Sequence, residues 1–215
     1  MRVGLVVEGR TDYTFLGILI QNRCGEDVKI IPLQPKWEQR ETPGYTGIQQ
    51  WLVRNGRQLE IYMKFEGLDA IVLQLDGDVA KSSRPCRPSA KDQWEEVYSI
   101  ALKWAKREEW PEGVVLAIML QELEAWICAG LNGCRVKNPQ LECEPEPGRH
   151  LPKEVREVME KLKSGNSTAL DRDQFRGWVR DVADRWNLVL RYCPVGAGRF
   201  EQMLQKYLLR REEAL

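Results

Sequence analysis

Zinc chemistry is the first thing the sequence leaves out. His150 is its one histidine, and its cysteines at Cys24, Cys86, Cys128, Cys134, Cys143 and Cys193 include no Cys-x-x-Cys pair, so tetrahedral zinc spacing is absent. The thiols read as reduced. No apolar run approaches the roughly 20 residues that cross a bilayer, and Met1-Arg2-Val3 does not open a charged-then-apolar leader. The expectation is a cytoplasmic chain with no membrane partner. With 32 basic against 32 acidic residues, the net charge is zero. That leaves no global footprint for a polyanion, so any grip on phosphate has to be local. A Gly-x-x-x-x-Gly-Lys-Ser/Thr phosphate loop is missing as well, as are internal repeats and low-complexity tracts.

What the chain does have is apolar runs that stop abruptly at acids. Val3 to Val7 runs into Glu8-Gly9, Ala70 to Leu75 into Asp76-Gly77-Asp78, and Val114 to Leu120 into Gln121-Glu122-Leu123-Glu124. Short, β-branched runs closed by glycine predict strands. Between them lie helical patterns. Thr11 is placed to cap a helix carrying Phe15, Leu16, Leu19 and Ile20 and stopping at Gly25. Val28 to Ile31 predicts a strand ended by Pro32. A helix is expected over about 48–62, interrupted at Gly56, and another where Trp94, Val97, Tyr98, Ala101, Leu102 and Ala105 share one face. A short helix over 123–129, closed near Gly130, follows the last run.

This alternation predicts an α/β fold over residues 1–130, with a mostly parallel, Rossmann-like sheet of about four strands in the order 2-1-3-4. Residues 131–151, rich in proline and glutamate, read as a connector. Residues 152–215 read as a helical C-terminal appendage, packed on the sheet or forming a small cap. Its helices are expected over 153–163, 171–186 and 200–209, with a short edge strand at 188–192. Trp94, Trp104, Trp126 and Trp178 fall on or near apolar faces, which favours core packing over base stacking.

Parallel strands deliver their carboxyl ends to one rim, so Glu8, Asp76 and Asp78 converge if the first and third strands are neighbours. Two carboxylates about 4 Å apart repel by roughly 4 kcal/mol at an effective dielectric near 20. Such a cluster calls for protonation, nearby cations or a hard ion. Mg²⁺ (or Mn²⁺) suits best, because it takes oxygen ligands and bridges to phosphates. Gly9 and Gly77 supply tight turns beside the acids. Asp12, at the start of the first helix, could serve a second metal. Glu122 and Glu124 are candidates for the same site or its general base, both facing it only if the strand persists to 124. Arg10 and the cationic loop after Asp78, with Lys81, Arg84 and Arg87, are candidates for phosphate contacts. Solvated turn residues, a helix-dipole acid and a solvated loop are the plain alternatives for these features.

At the Glu8 and Asp76-Gly77-Asp78 segments the chain resembles the Toprim fold of nucleases and topoisomerases. The Val7-Glu8-Gly9-Arg10-Thr11-Asp12 stretch is most similar to Toprim domains of the OLD (overcoming lysogenisation defect) nucleases. Glu122-Leu123-Glu124-Ala125-Trp126 further resembles a family of small bacterial Toprim-like proteins. The resemblance covers about residues 1–130. It implies Mg²⁺-dependent cleavage of DNA or RNA phosphodiesters, carried onto Glu8, Asp12, Asp76 and Asp78 and less directly onto Glu122 and Glu124, with a hint of bacterial defence. OLD nucleases carry an ATPase domain, so the missing phosphate loop suggests an ATPase partner acting in trans. The alternative expectation is a noncatalytic Toprim-like scaffold or interaction subunit. A phosphatase of the haloacid dehalogenase type fits less well, because its Asp-x-Asp normally follows the first strand.

Overall fold

The computed structural model describes residues 1–35, 44–80, 89–132 and 151–209. Four strands, β1 (Arg2–Val6), β2 (Lys29–Gln34), β3 (Ala70–Asp76) and β4 (Val114–Met119), form one all-parallel sheet in the order β2-β1-β3-β4. The α/β class and the expected strand order are both present. β1 sits centrally, with Val3 opposite Ala70 and Val6 opposite Leu73, so the chain segments after β1 and β3 emerge side by side.

Helices cover both faces, which is why the strands read as near-continuous apolar runs. Alternation along β3 sends Ala70 and Val72 into one core and Ile71, Leu73 and Leu75 into the other. The second core is closed by α2 (Tyr45–Asn55), α3 (Leu59–Glu66) and α4 (Ala90–Ala105). The first is closed by α1 (Arg10–Cys24), α5 (Leu123–Asn132), α6 (Lys153–Ser164), α7 (Ala169–Asp184), α8 (Trp186–Tyr192) and α9 (Gly196–Tyr207). The C-terminal helices are therefore packed on the sheet. Trp126 of α5 meets Trp186 and Phe200 edge-on or tilted within that core, and α9 covers the outer edge of β4, where the Leu116 amide donates to Met203 Sδ at 3.3 Å. Trp94 and Trp126 are core residues, as their spacing suggests.

Several local expectations change. Residues 188–192 lie within α8 and pair with no strand; Val189 is buried against the aromatic core, and helix packing overrides the β-rich composition. Pro32 lies inside edge strand β2, where a missing amide is tolerated. The helix expected at 48–62 is two helices joined by a 3₁₀ turn at Gly56–Gln58. Gly130 lies within α5, where it meets Val182 of α7 closely, rather than closing the helix. Gly9, not Thr11, occupies the N-cap of α1, and Thr11 is buried in its first turn.

The α6–α7 turn is locked from within. Thr168 and Asp171 form a reciprocal capping box, and Lys161 Nζ reaches Asp171 at 3.0 Å. Hydrogen bonds from the Thr168 hydroxyl and amide, with Lys161 adding to them, hold the Asp171 carboxyl down at about 2.

Candidate functional site

The carboxyl ends of β1 and β3 meet through a buried glutamine. Gln74 is fully buried in β3; its Oε1 accepts from the Glu8 amide at 2.9 Å, and its Nε2 donates to Asp76 Oδ1 at 2.9 Å. The Asp76 amide in turn donates to Glu8 Oε1 at 3.2 Å, and the Tyr45 amide at the start of α2 also bonds the Glu8 carboxylate. Two of these bonds, Glu8 amide to Gln74 and Asp76 amide to Glu8, tie the end of β1 to β3; the Gln74–Asp76 bond orients Asp76 within β3, and the Tyr45 bond anchors Glu8 to α2. Replacing Gln74 with Leu leaves the half-buried Glu8 amide without its acceptor, at a cost of about 1–3 kcal/mol. The loss is expected to lower Tm by about 2–12 °C, read from a thermal melt.

Glu8, Asp12, Asp76, Glu122 and Glu124 all line one cavity of about 1070 Å³ at this rim. Asp78 does not. It sits exposed in the 3₁₀ turn Gly77–Val79, and it reaches the cluster through its charge on Glu8, Asp76 and Glu122. Gly77 serves close approach: a Cβ there would fall 2.2 Å from the Leu120 carbonyl oxygen and 2.5 Å from Gln93 Nε2. Gln93 Nε2 donates to both the Gly77 and Leu120 carbonyls, clamping the ends of β3 and β4 together.

Glu122 and Glu124 face the cavity although β4 ends at Met119, against the expectation that they diverge without a longer strand. Backbone geometry is the reason. Glu122 has φ of 145°, a region that L residues rarely adopt and that costs on the order of 1–3 kcal/mol, and α5 begins at the next residue.

Confinement of these acids shows in their protonation. Burial first, then the Glu8 charge, holds the Asp12 carboxyl up at about 7. Burial, followed by the charges of Glu8, Asp12, Asp78 and Glu122, raises Asp76 well above the ordinary carboxylate range. Glu8 is raised by burial and by Asp78 and Glu122, against the opposing hydrogen bonds from Asp76 and Tyr45. Glu122 is raised by burial and by Glu124.

The opposite wall carries residues that sequence reading missed. Lys163 of α6 pairs with Glu124, and Ser167, Arg172 and Arg176 line the same cavity. Burial by itself would lower the Lys163 ammonium; the Glu124 hydrogen bond and the charges of Glu124, Glu122 and Asp12 outweigh it, and its pKa is raised. Arg10 lines the cavity from α1. Lys81, Arg84 and Arg87 lie outside the described residues, as does His150.

Among the described residues, no three His, Cys, Asp or Glu side chains are grouped closely enough to hold one metal ion between them. A hydrated hard cation needs fewer. Mg²⁺ keeps several waters and is typically held through one or two carboxylates plus substrate phosphates. An all-oxygen donor set whose members raise one another's pKa is chemically matched to it. No family model, curated protein or solved structure matches the chain. Among the described residues no helix is long and apolar enough to cross a membrane.

Proposed function

We propose that the protein is a Mg²⁺- or Mn²⁺-dependent nuclease that cleaves phosphodiester bonds at the rim of β1 and β3. One observation carries the reading: Glu8 and Asp76, from strands far apart in sequence, are bonded together within a cavity whose other wall is cationic. A structural ion-pair network would balance its acids locally, whereas here five carboxylates line one cavity and the wall cations Arg172 and Arg176 are exposed to what enters it. The resemblance to Toprim nucleases, carried onto Glu8, Asp12, Asp76 and Asp78, points the same way for the first three; Asp78 lies outside the cavity lining.

In this reading Glu8 and Asp76 would hold the cation, with Glu122 beside them. The bound ion supplies Lewis-acid polarisation of a phosphoryl oxygen and a more acidic water. Asp12, held at about 7, is suited to accept a proton from the attacking water near neutral pH. Lys163 keeps its charge beside Glu124 and offers it to a phosphate oxygen.

Purified protein is expected to nick DNA or RNA in Mg²⁺ or Mn²⁺ and to stop when the metal is chelated, as read on labelled substrates by gel. Calorimetry that detects no binding of Mn²⁺ to the folded protein would sink the proposal. That outcome would favour a noncatalytic interaction subunit serving a separate ATPase.

A further inference from the structure

We propose that the face made by the α6–α7 turn and the start of α7 is a track for a single polynucleotide strand, with Arg172 and Arg176 gripping its phosphates. This rests on the nuclease reading and adds to it the form of nucleic acid the site accepts.

Arg172 and Arg176 are four residues apart on α7, so they share a face and stand about 6 Å apart along the axis, a spacing that neighbouring phosphates of an extended strand can meet. Both are exposed and both line the cavity that holds the acids. Each makes one bond within the fold: Arg172 Nη1 donates to the Ser167 carbonyl at 3.1 Å, and Arg176 Nη1 to Asp173 Oδ1 at 3.2 Å. A guanidinium carries five donors, so both retain capacity for phosphate oxygens. The nearest buried acid of this face, Asp171, is spent on the Thr168 capping box and Lys161. The same bonds fix the turn, so the track is ordered before anything binds.

Shape selects the strand. A cavity of about 1070 Å³ lies just above the range of about 300–1,000 Å³ that encloses a small ligand. Its acids are sunk: Asp12 is buried, and Glu8 and Asp76 are half-buried. A duplex carries its phosphates on the outside of a stiff cylinder and keeps them above such a floor, whereas one strand can bend down to it. Tyr13, half-buried on the cavity wall, adds an aromatic surface of the kind on which bases stack.

The test is fluorescence anisotropy in Mg²⁺ on an Asp76→Asn background, which prevents cleavage. The probes are labelled single-stranded DNA and RNA of about 15 nucleotides and a duplex of matching length, titrated between about 50 and about 200 mM salt. Arg172→Ala with Arg176→Ala is expected to flatten the slope of log K against log salt by about 1.4, or about 0.7 for each lost phosphate contact on a single strand. Lys153→Ala with Arg180→Ala removes the same charge from exposed positions off the cavity, and should leave the slope unchanged. Duplex is expected to bind at least about tenfold more weakly than the strand. An unchanged slope, an equal change in the control pair, equal binding of duplex, or no binding of any probe would each overturn the track. The two readings fail separately. Cleavage by the wild type with an unaltered slope removes the track alone, and a flattened slope in a protein that never cleaves removes the nuclease alone.

Discussion

Asp76→Asn is expected to lower metal-dependent cleavage by at least about 10³-fold, equivalent to about 4 kcal/mol of transition-state stabilisation, while the protein stays folded. Asparagine keeps the shape of aspartate and the oxygen that accepts from Gln74, and the bonds that join β1 to β3, from the Glu8 amide to Gln74 and from the Asp76 amide to Glu8, do not use the Asp76 carboxylate and survive. Only the charge goes. Burial, followed by the charges of Glu8 and Asp12, already disfavours that charge, so in chelator the variant should melt no lower than wild type. A carboxylate whose removal spares stability and abolishes turnover is there for chemistry. Asp78→Asn gives the contrast: Asp78 is exposed and does not line the cavity, and it influences the cluster by charge alone. Its loss should cost no more than about tenfold. Equal activity in wild type and Asp76→Asn would assign the cleavage to a contaminant, and equal losses at Asp76 and Asp78 would put both carboxylates on the metal.

The part of this site that could be read from the sequence is the part set by strand ends. In a parallel sheet the position of an acid immediately after an apolar run also determines its rim, so Glu8 and Asp76 could be paired once β1 and β3 were judged neighbours. Gln74 left a signal that is clear in retrospect: it is the lone polar residue inside the run from Ala70 to Leu75, and a fully buried polar side chain needs partners. The cationic wall left none. Lys163, Arg172 and Arg176 sit on helices whose polar faces look like any solvated surface, and only the docking of α6 and α7 against α1 turns them toward the acids.

The same limit explains the local errors. Residues 188–192, Leu-Val-Leu-Arg-Tyr, favour a strand by composition, but among the described residues no strand pairs with them and the Trp126–Trp186–Phe200 cluster rewards a helix. Regular geometry lets Glu122 and Glu124 share the site only if the strand persists to 124, and β4 ends at Met119. An irregular φ at Glu122 restores their convergence, and no pattern of residue types encodes that angle. Strain at a non-glycine residue lining the cavity is consistent with a position held for chemistry rather than for packing.

The carboxylate cluster should also make the metal-free protein more stable in mild acid than at pH 8, the reverse of ordinary acid denaturation. Asp12 has an ordinary value of 3.8 and is held at about 7 in the fold. Between those two values the folded state binds more protons than the unfolded state, so stability falls as pH rises through the window. The difference sets an upper limit of about 4 kcal/mol, shared with Glu8 and Asp76, which are shifted the same way. Asp171 works in the opposite direction, but its contribution is lost only as pH falls from about 4 towards 2, outside the window. Asp12→Asn removes the ionisable group. In chelator it should raise stability at pH 8 by about 2–4 kcal/mol, or about 4–16 °C in Tm, with the gain shrinking towards pH 4. Mg²⁺ should stabilise wild type at pH 8, by about 2.7 kcal/mol at a hundred times its Kd, and should stabilise Asp12→Asn less. Thermal melts across pH, with and without metal, measure all of this. A wild type that gains stability steadily from pH 4 to pH 8 in chelator would mean that the acids at the β1–β3 rim do not confine one another, and the case for a cation among them would go with it.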